Sequence, residues 1–230
     1  MRPICSKVLP RRLEYKPFAT RCMAFALLLA PIASPSQEVD IRPLPQAHAH
    51  NDYYHSRPLL DALDSGFCSV EADIFLVGEA LLVAHSQFEI RKDKTLESLY
   101  LDPLKDLVRK RGGKIYPNGP AFTLLIDFKN DGNATYAVLR KKLVAYQDIL
   151  SRVENGISHP GAVQIVISGN RPVEAISRDA VRYVGIDGRL SDLDSTMAAH
   201  LMPMISDRWS SHFRWRGEGE FPEGERKKLL

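Results

Sequence analysis

A parallel (β/α) barrel is the fold this sequence predicts, and three features predict it. Strand-like and helix-like segments alternate from residue 38 onward. Residues 122–128 and 162–168 are nearly continuous apolar runs, the pattern of strands buried on both faces of a parallel sheet. Polar residues gather at the strand ends: His50, Glu71 with Asp73, His85, Asp127 with Lys129, Ser168 with Asn170, Asp187 and Asp207. In a parallel barrel of the TIM type every strand delivers its C-terminal end to one face, so these groups would converge there. A doubly wound sheet would want a glycine-rich dinucleotide turn, and "GFCSVE" and "GRLSDLD" do not supply one.

The elements follow in order. "PLPQAHAHN" reads as the first strand. "RPLLDALDSG" reads as a short helix with Leu59, Leu60 and Leu63 on one face and Gly66 at its end. "FCSVEADIFL" is the second strand, with Cys68 buried in it, and "EALLVAHS" a shorter third that forms a hairpin with the second. Residues 95–113 read as a helix opened by Thr95 as N-cap and closed by Gly112-Gly113. Strand "AFTLLIDFKN", helix 133–153, strand "GAVQIVISGN", helix 171–180, strand "RYVGIDGR" and strand "LMPMISDRW" follow, and residues 221–230 look like the start of another helix. With His50, Glu71, Asp127, Ser168, Asp187 and Ile205 as markers, about six barrel strands are present. A closed eight-stranded barrel takes about 250 residues, whereas 193 follow residue 37 (230 less 37). The expectation is a barrel truncated after about six strands.

Residues 1–37 read differently from the rest. Arg2, Lys7, Arg11, Arg12, Lys16 and Arg21 precede a short apolar run, residues 22–30, and then Pro31 and the small residues Ala33, Ser34 and Ser36. That order is the signature of a secretory signal peptide, and the run is shorter than the ~20 residues of a spanning helix. The organisation expected is a leader over 1–37 and one domain over 38–230, exported to the periplasm or the extracellular space, with no transmembrane segment in the mature chain. The whole chain has 31 Lys+Arg against 28 Asp+Glu, but the leader holds six of the basic residues and one of the acids. Residues 38–230 therefore carry 25 basic and 27 acidic groups, a net of −2, which gives no electrostatic reason to expect a nucleic-acid partner. Only Cys68 remains after the leader, so the domain cannot hold an internal disulfide.

The chemistry begins with Glu71-Ala72-Asp73. Alternate residues of a strand share a face, so the two carboxylates lie side by side and repel unless a cation neutralises them. Oxygen ligands suit one divalent cation, Mg²⁺ or Ca²⁺. Asp127 ends the apolar run 124–126 and offers a third ligand, while Lys129 emerges on the same side, either to pair with it or to reach a phosphate oxygen. His50 and His85 end their strands, and two histidines can deprotonate a nucleophile and protonate a leaving oxygen near neutral pH. His48 shares the face of His50 one step deeper and reads as supporting; His55 and His159 read as loop residues, His200 as a surface one.

In this order, His50, Glu71-x-Asp73, His85 and Asp127-x-Lys129, the sequence resembles the glycerophosphodiester phosphodiesterase and phosphatidylinositol-specific phospholipase C-like superfamily, most nearly its bacterial and fungal phospholipase C-like branch. The resemblance covers roughly residues 44–230. It implies a barrel, a phosphoric diester hydrolase of phospholipid head groups or small phosphodiesters, a metal site at Glu71, Asp73 and Asp127, and catalysis by His50, His85 and Lys129. The H-R-G and P-E-N-T motifs of glycerophosphodiesterases are missing: Asn51-Asp52 follows His50, and Ser86 follows His85 where many relatives carry Asp. Two other readings stand beside this one. An amidohydrolase-type barrel would use His48 and His50 to bind zinc, although strands 165–168 and 184–187 lack the further histidines it normally adds. An exported, non-catalytic remnant of the fold is the third.

Overall fold

The computed structural model of the chain describes residues 41–229, and the reading of residues 1–37 as a leader lies outside that range. Six parallel strands form one curled sheet, a half-barrel, in the order β1 (Leu44–Ala49), β2 (Phe67–Val77), β4 (Phe122–Phe128), β7 (Val163–Gly169), β9 (Val184–Gly188) and β10 (Met204–Ile205). β3 (Ala80–Val83) pairs antiparallel with the end of β2, as the hairpin reading expects. Among the described residues no helix is long and apolar enough to cross a membrane.

The register separates the two faces. Glu71, Leu125 and Val166 stand opposite one another across β2, β4 and β7, as do Asp73, Asp127 and Ser168. The alternate positions, Val70, Ala72, Ile74, Leu124, Ile126, Ile165, Ile167 and Ile186, are all fully buried in the main apolar cluster, together with Leu104, Leu139 and Ile176 of the helices. Leu125 and Val166, on the opposite face, lie outside that cluster but are buried as well. Both faces are thus buried, which is why the strands read as continuous apolar runs.

The helices are shorter than their patterns suggest. α1 spans only Leu60–Asp64, with Leu59 and Leu63 buried but Leu60 exposed, because Leu59 takes φ +66° and turns the chain just before it. Thr95 does cap its helix, accepting from the Ser98 N–H at 3.0 Å, but the segment opens as a π turn, Glu97–Leu101, before α2 (Asp102–Lys110). α3 (Gly132–Leu143) is capped by Asp131, which accepts from the Ala134 N–H at 3.0 Å. α4 is Val173–Arg178; α5 (Trp209–His212) and α6 (Glu223–Arg226) are single turns.

The helix expected through residue 153 is a correction. After α3 and a 3-10 turn, the chain forms a small antiparallel sheet of β5 (Arg152–Glu154), β6 (Ile157–His159) and β8 (Val181–Arg182). Asn155 and Gly156, both at positive φ, make the two-residue turn between β5 and β6. Asn-Gly is the strongest local signal for such a hairpin. His159 accordingly lies on a strand, and His200 is a half-buried partner of Arg182.

Candidate functional site

β2 contributes the two carboxylates around which the site is built. Glu71 and Asp73 point to the same face, and both are buried. Asp127 of β4 stands in register with Asp73, and one oxygen from each of the three carboxylates lies within 4.8 Å of the others. Gly169 lets Asp127 sit there. It has φ +66°, and a Cβ at this position would fall 2.4 Å from Asp127 Oδ1.

Each β2 carboxylate holds a histidine by the same ring nitrogen. Glu71 Oε2 lies 2.6 Å from Nδ1 of His50, and Asp73 Oδ2 lies 2.9 Å from Nδ1 of His85. Both imidazoles are mostly exposed, 72% and 53%, so each keeps Nε2 for a ligand outside the carboxylate layer. His48 also reaches Glu71 Oε2, at 3.4 Å, and its Nδ1 meets Ser69 Oγ at 2.8 Å. It is therefore bound into the same cluster as His50. Burial pushes the Glu71 carboxyl up, but the His48 hydrogen bond and the neighbouring His50 outweigh it and hold the group below its ordinary range.

Lys129 bridges Asp73 Oδ2 at 2.8 Å and Asp127 Oδ1 at 3.1 Å. Burial alone would lower the Lys129 ammonium, yet its bonds to Asp73 and Asp127 raise it. The Asp127 carboxyl moves the other way. Burial raises it, Lys129 opposes the rise, and the charges of Asp73 and Glu71 add to it. Three carboxylates with one lysine among them remain short of positive charge.

Asp73 shows where that charge is missing. Its Oδ2 faces three donors, Tyr53 Oη at 2.7 Å, Lys129 and His85, while its buried Oδ1 has no partner among the described residues. A buried carboxylate oxygen without a donor is costly. An all-oxygen set of three carboxylates with one such open oxygen fits a hard divalent cation.

Tyr53 is the residue that sequence reasoning missed. Its hydroxyl donates to Asp73 and lies 3.4 Å from His85 Nδ1, linking the first loop to both. Asp52 fixes that loop from beneath, accepting from the Leu59 N–H at 2.5 Å and from the Tyr100 hydroxyl at 3.0 Å. The D-Y-Y motif after His50 carries no periodic pattern that would have pointed to it. Of the other polar strand ends, Ser168 and Asp187 extend the row: Ser168 Oγ donates to Asp187 Oδ2 at 2.9 Å, and Arg189 pairs with that oxygen at 2.5 Å. Asn170 instead donates to the Asn130 carbonyl, and Asp207 pairs with His212.

A family profile described as "AIM6-like phosphodiesterase domain" matches residues 36–187, the stretch that holds all six expected site residues. The chain is 33% identical over 175 residues to an "Altered inheritance of mitochondria protein 6 homolog" of Arthroderma benhamiae, covering 66% of this chain and 55% of the relative. It is 32% identical over 194 residues to "Altered inheritance of mitochondria protein 6" of Eremothecium gossypii, covering 73% and 49%. The protein of that name from Candida glabrata is 30% identical over 208 residues, covering 69% and 49%. The chain spans about half the length of these curated relatives. No solved structure matches it.

Proposed function

The chain belongs to the AIM6-like phosphodiesterase family, and from that premise we propose that it is a divalent-metal-dependent phosphoric diester hydrolase acting on a phospholipid head group or a related small phosphodiester. The observation that carries this reading is the pair of carboxylate-held histidines, His50 on Glu71 and His85 on Asp73, flanking a cluster of three carboxylates and a lysine. It agrees with the resemblance to the glycerophosphodiesterase and phospholipase C-like superfamily.

Each carboxylate fixes its ring through Nδ1 and favours the imidazolium that forms when Nε2 takes up a proton. One imidazole takes the proton of the attacking hydroxyl or water, and the other gives its Nε2 proton to the leaving oxygen. Lys129 brings positive charge to the phosphoryl oxygens, and the hydroxyl of Tyr53 holds Asp73 and so the orientation of His85. Glu71, Asp73 and Asp127 would hold one Mg²⁺ or Ca²⁺, which supplies Lewis-acid stabilisation of the phosphoryl charge when bound. The basic, then apolar, then small-residue order of residues 1–37 supports export of the protein.

Hydrolysis of bis(p-nitrophenyl) phosphate by the chain, with Mg²⁺, with Ca²⁺ and with chelator, tests the reading beside His50→Ala and Glu71→Ala. Metal-dependent turnover lost in both variants is the expected result. Absence of turnover in a folded sample would favour the non-catalytic reading, and turnover untouched by either substitution would place the chemistry elsewhere.

A further inference from the structure

Two imidazoles converge on one carboxylate oxygen at the end of β1, and the hard-cation cluster does not use them as ligands. His48 Nε2 and His50 Nδ1 lie 3.4 and 2.6 Å from Glu71 Oε2, and the ligand atoms of all three residues lie within 4.8 Å of one another. We propose that His48, His50 and Glu71 form a second metal site, selective for a borderline-soft ion of the Zn²⁺ class, and that filling it withdraws His50 from catalysis.

The donor set points to the ion. Two imidazole nitrogens and one carboxylate oxygen suit zinc, whereas magnesium and calcium favour oxygen alone. Zinc bonds to nitrogen and oxygen are about 2.0–2.2 Å, so tetrahedral ligand atoms sit about 3.3 Å apart. The His48–Glu71 separation already has that value, and the His50–Glu71 separation needs to open by about 0.7 Å. His50 is 72% exposed and free to make that movement. Ser69 Oγ, 2.8 Å from His48 Nδ1, can accept the Nδ1 proton and leave the Nε2 lone pair for the ion, the outer partner that metal-bound histidines normally have. Three protein ligands leave the fourth position to water.

The consequence for activity rests on the proposed phosphodiesterase reading. Glu71 belongs to both clusters, and His50 cannot be held by Glu71 as an acid–base group while its Nδ1 is bonded to an ion. Zn²⁺ should then inhibit turnover in the presence of saturating Mg²⁺ or Ca²⁺.

The test reads the metal itself, so its outcome does not depend on whether the chain turns over a diester. Co²⁺ is titrated as a spectroscopic probe into the full chain in excess Mg²⁺, and Zn²⁺ binding is followed by calorimetry. One equivalent of Co²⁺ giving tetrahedral visible absorption without thiolate charge transfer is expected. The absorption should vanish in His48→Gln and His50→Gln and persist in Asp127→Asn, with Zn²⁺ affinity in the histidine variants down more than about a hundredfold, beyond the loss of an outer-shell partner. X-ray absorption at the zinc edge of the unmodified chain, which needs no variant to fold, should read two imidazoles and no sulfur. No binding, sulfur ligation, or absorption that survives both histidine substitutions would overturn the site.

Discussion

Asp73 Oδ2 holds Nδ1 of His85 at 2.9 Å, and the same oxygen faces Lys129 and Tyr53 while Oδ1 of that carboxylate is buried without a donor among the described residues. This lopsided pairing makes Asp73 the residue on which the site turns. In Asp73→Asn the shape is kept and the charge removed, so His85 loses its orienting anion and Lys129 one of its two partners. The proposed diesterase turnover should fall by about 10²-fold or more, the scale of losing one acid–base partner. Equal rates for Asp73→Asn and the parent chain would remove the Asp73 carboxylate from the mechanism, both as the partner of His85 and as a metal ligand.

Divalent ions should stabilise the fold through the same carboxylates. At a hundred times its dissociation constant a ligand that binds only the native state adds about 2.7 kcal/mol. Thermal unfolding in Mg²⁺ or Ca²⁺ should shift upward in the parent chain and much less in Asp127→Asn. A shift of the same size in both would assign the binding to other groups.

Gly169→Ala tests how Asp127 is seated. The left-handed backbone at φ +66° costs a residue with a Cβ about 1–2 kcal/mol, and the new methyl group would overlap Asp127 Oδ1. Urea unfolding should show at least that loss, and the divalent-ion shift should shrink with it. A variant as stable as the parent would mean that this strand end repacks freely.

Asp52 gives a prediction about the loop that carries Tyr53. Burial raises its carboxyl above the ordinary range, while its bonds from Leu59 and Tyr100 oppose the rise. Asp52→Ala leaves the Leu59 N–H and the Tyr100 hydroxyl without an acceptor, a loss of about 2–4 kcal/mol in denaturant unfolding. Asp52→Asn retains an acceptor oxygen and should cost under about 1.5 kcal/mol. The prediction fails if the two substitutions cost the same.

Alkaline pH should unfold the protein through its tyrosines. Burial raises the phenols of Tyr53, Tyr100, Tyr116, Tyr136 and Tyr146 above their ordinary value of 10.0, assisted by neighbouring Asp73, Asp52, Asp179 and Asp102 at four of them. Above pH 10 the folded chain keeps protons that the unfolded chain has lost, so stability is full below that pH and falls as pH rises beyond it. Phenolate absorbance should therefore appear together with loss of the far-ultraviolet helix and strand signal. Smooth titration of all the tyrosines in a chain that stays folded would contradict these burials.

The elements differ in how much of them the sequence carried. Apolar runs at residues 122–128 and 162–168 announced β4 and β7, since burial on both faces of a parallel sheet leaves no alternation to misread. The helix expected through residue 153 failed because Leu143, Tyr146, Ile149 and Leu150 are buried whether the backbone is helical or not. Asn155-Gly156 held the signal for the turn beyond it.

By itself the sequence determined the order of the six parallel strands along the chain, the period-two spacing that sets Glu71 and Asp73 on one face, and the placing of His50, His85, Asp127 and Lys129 at strand ends. Those are local properties, fixed by the pleat of a strand and by where an apolar run stops. Tertiary structure alone decided that Asp73 stands level with Asp127, that Tyr53 reaches Asp73 from a loop, that Asp52 and Tyr100 hold that loop, and that His48 and His50 share one oxygen of Glu71. The partners in these contacts come from different elements, in most cases twenty or more residues apart, and only strand register and the path of the loops bring them together.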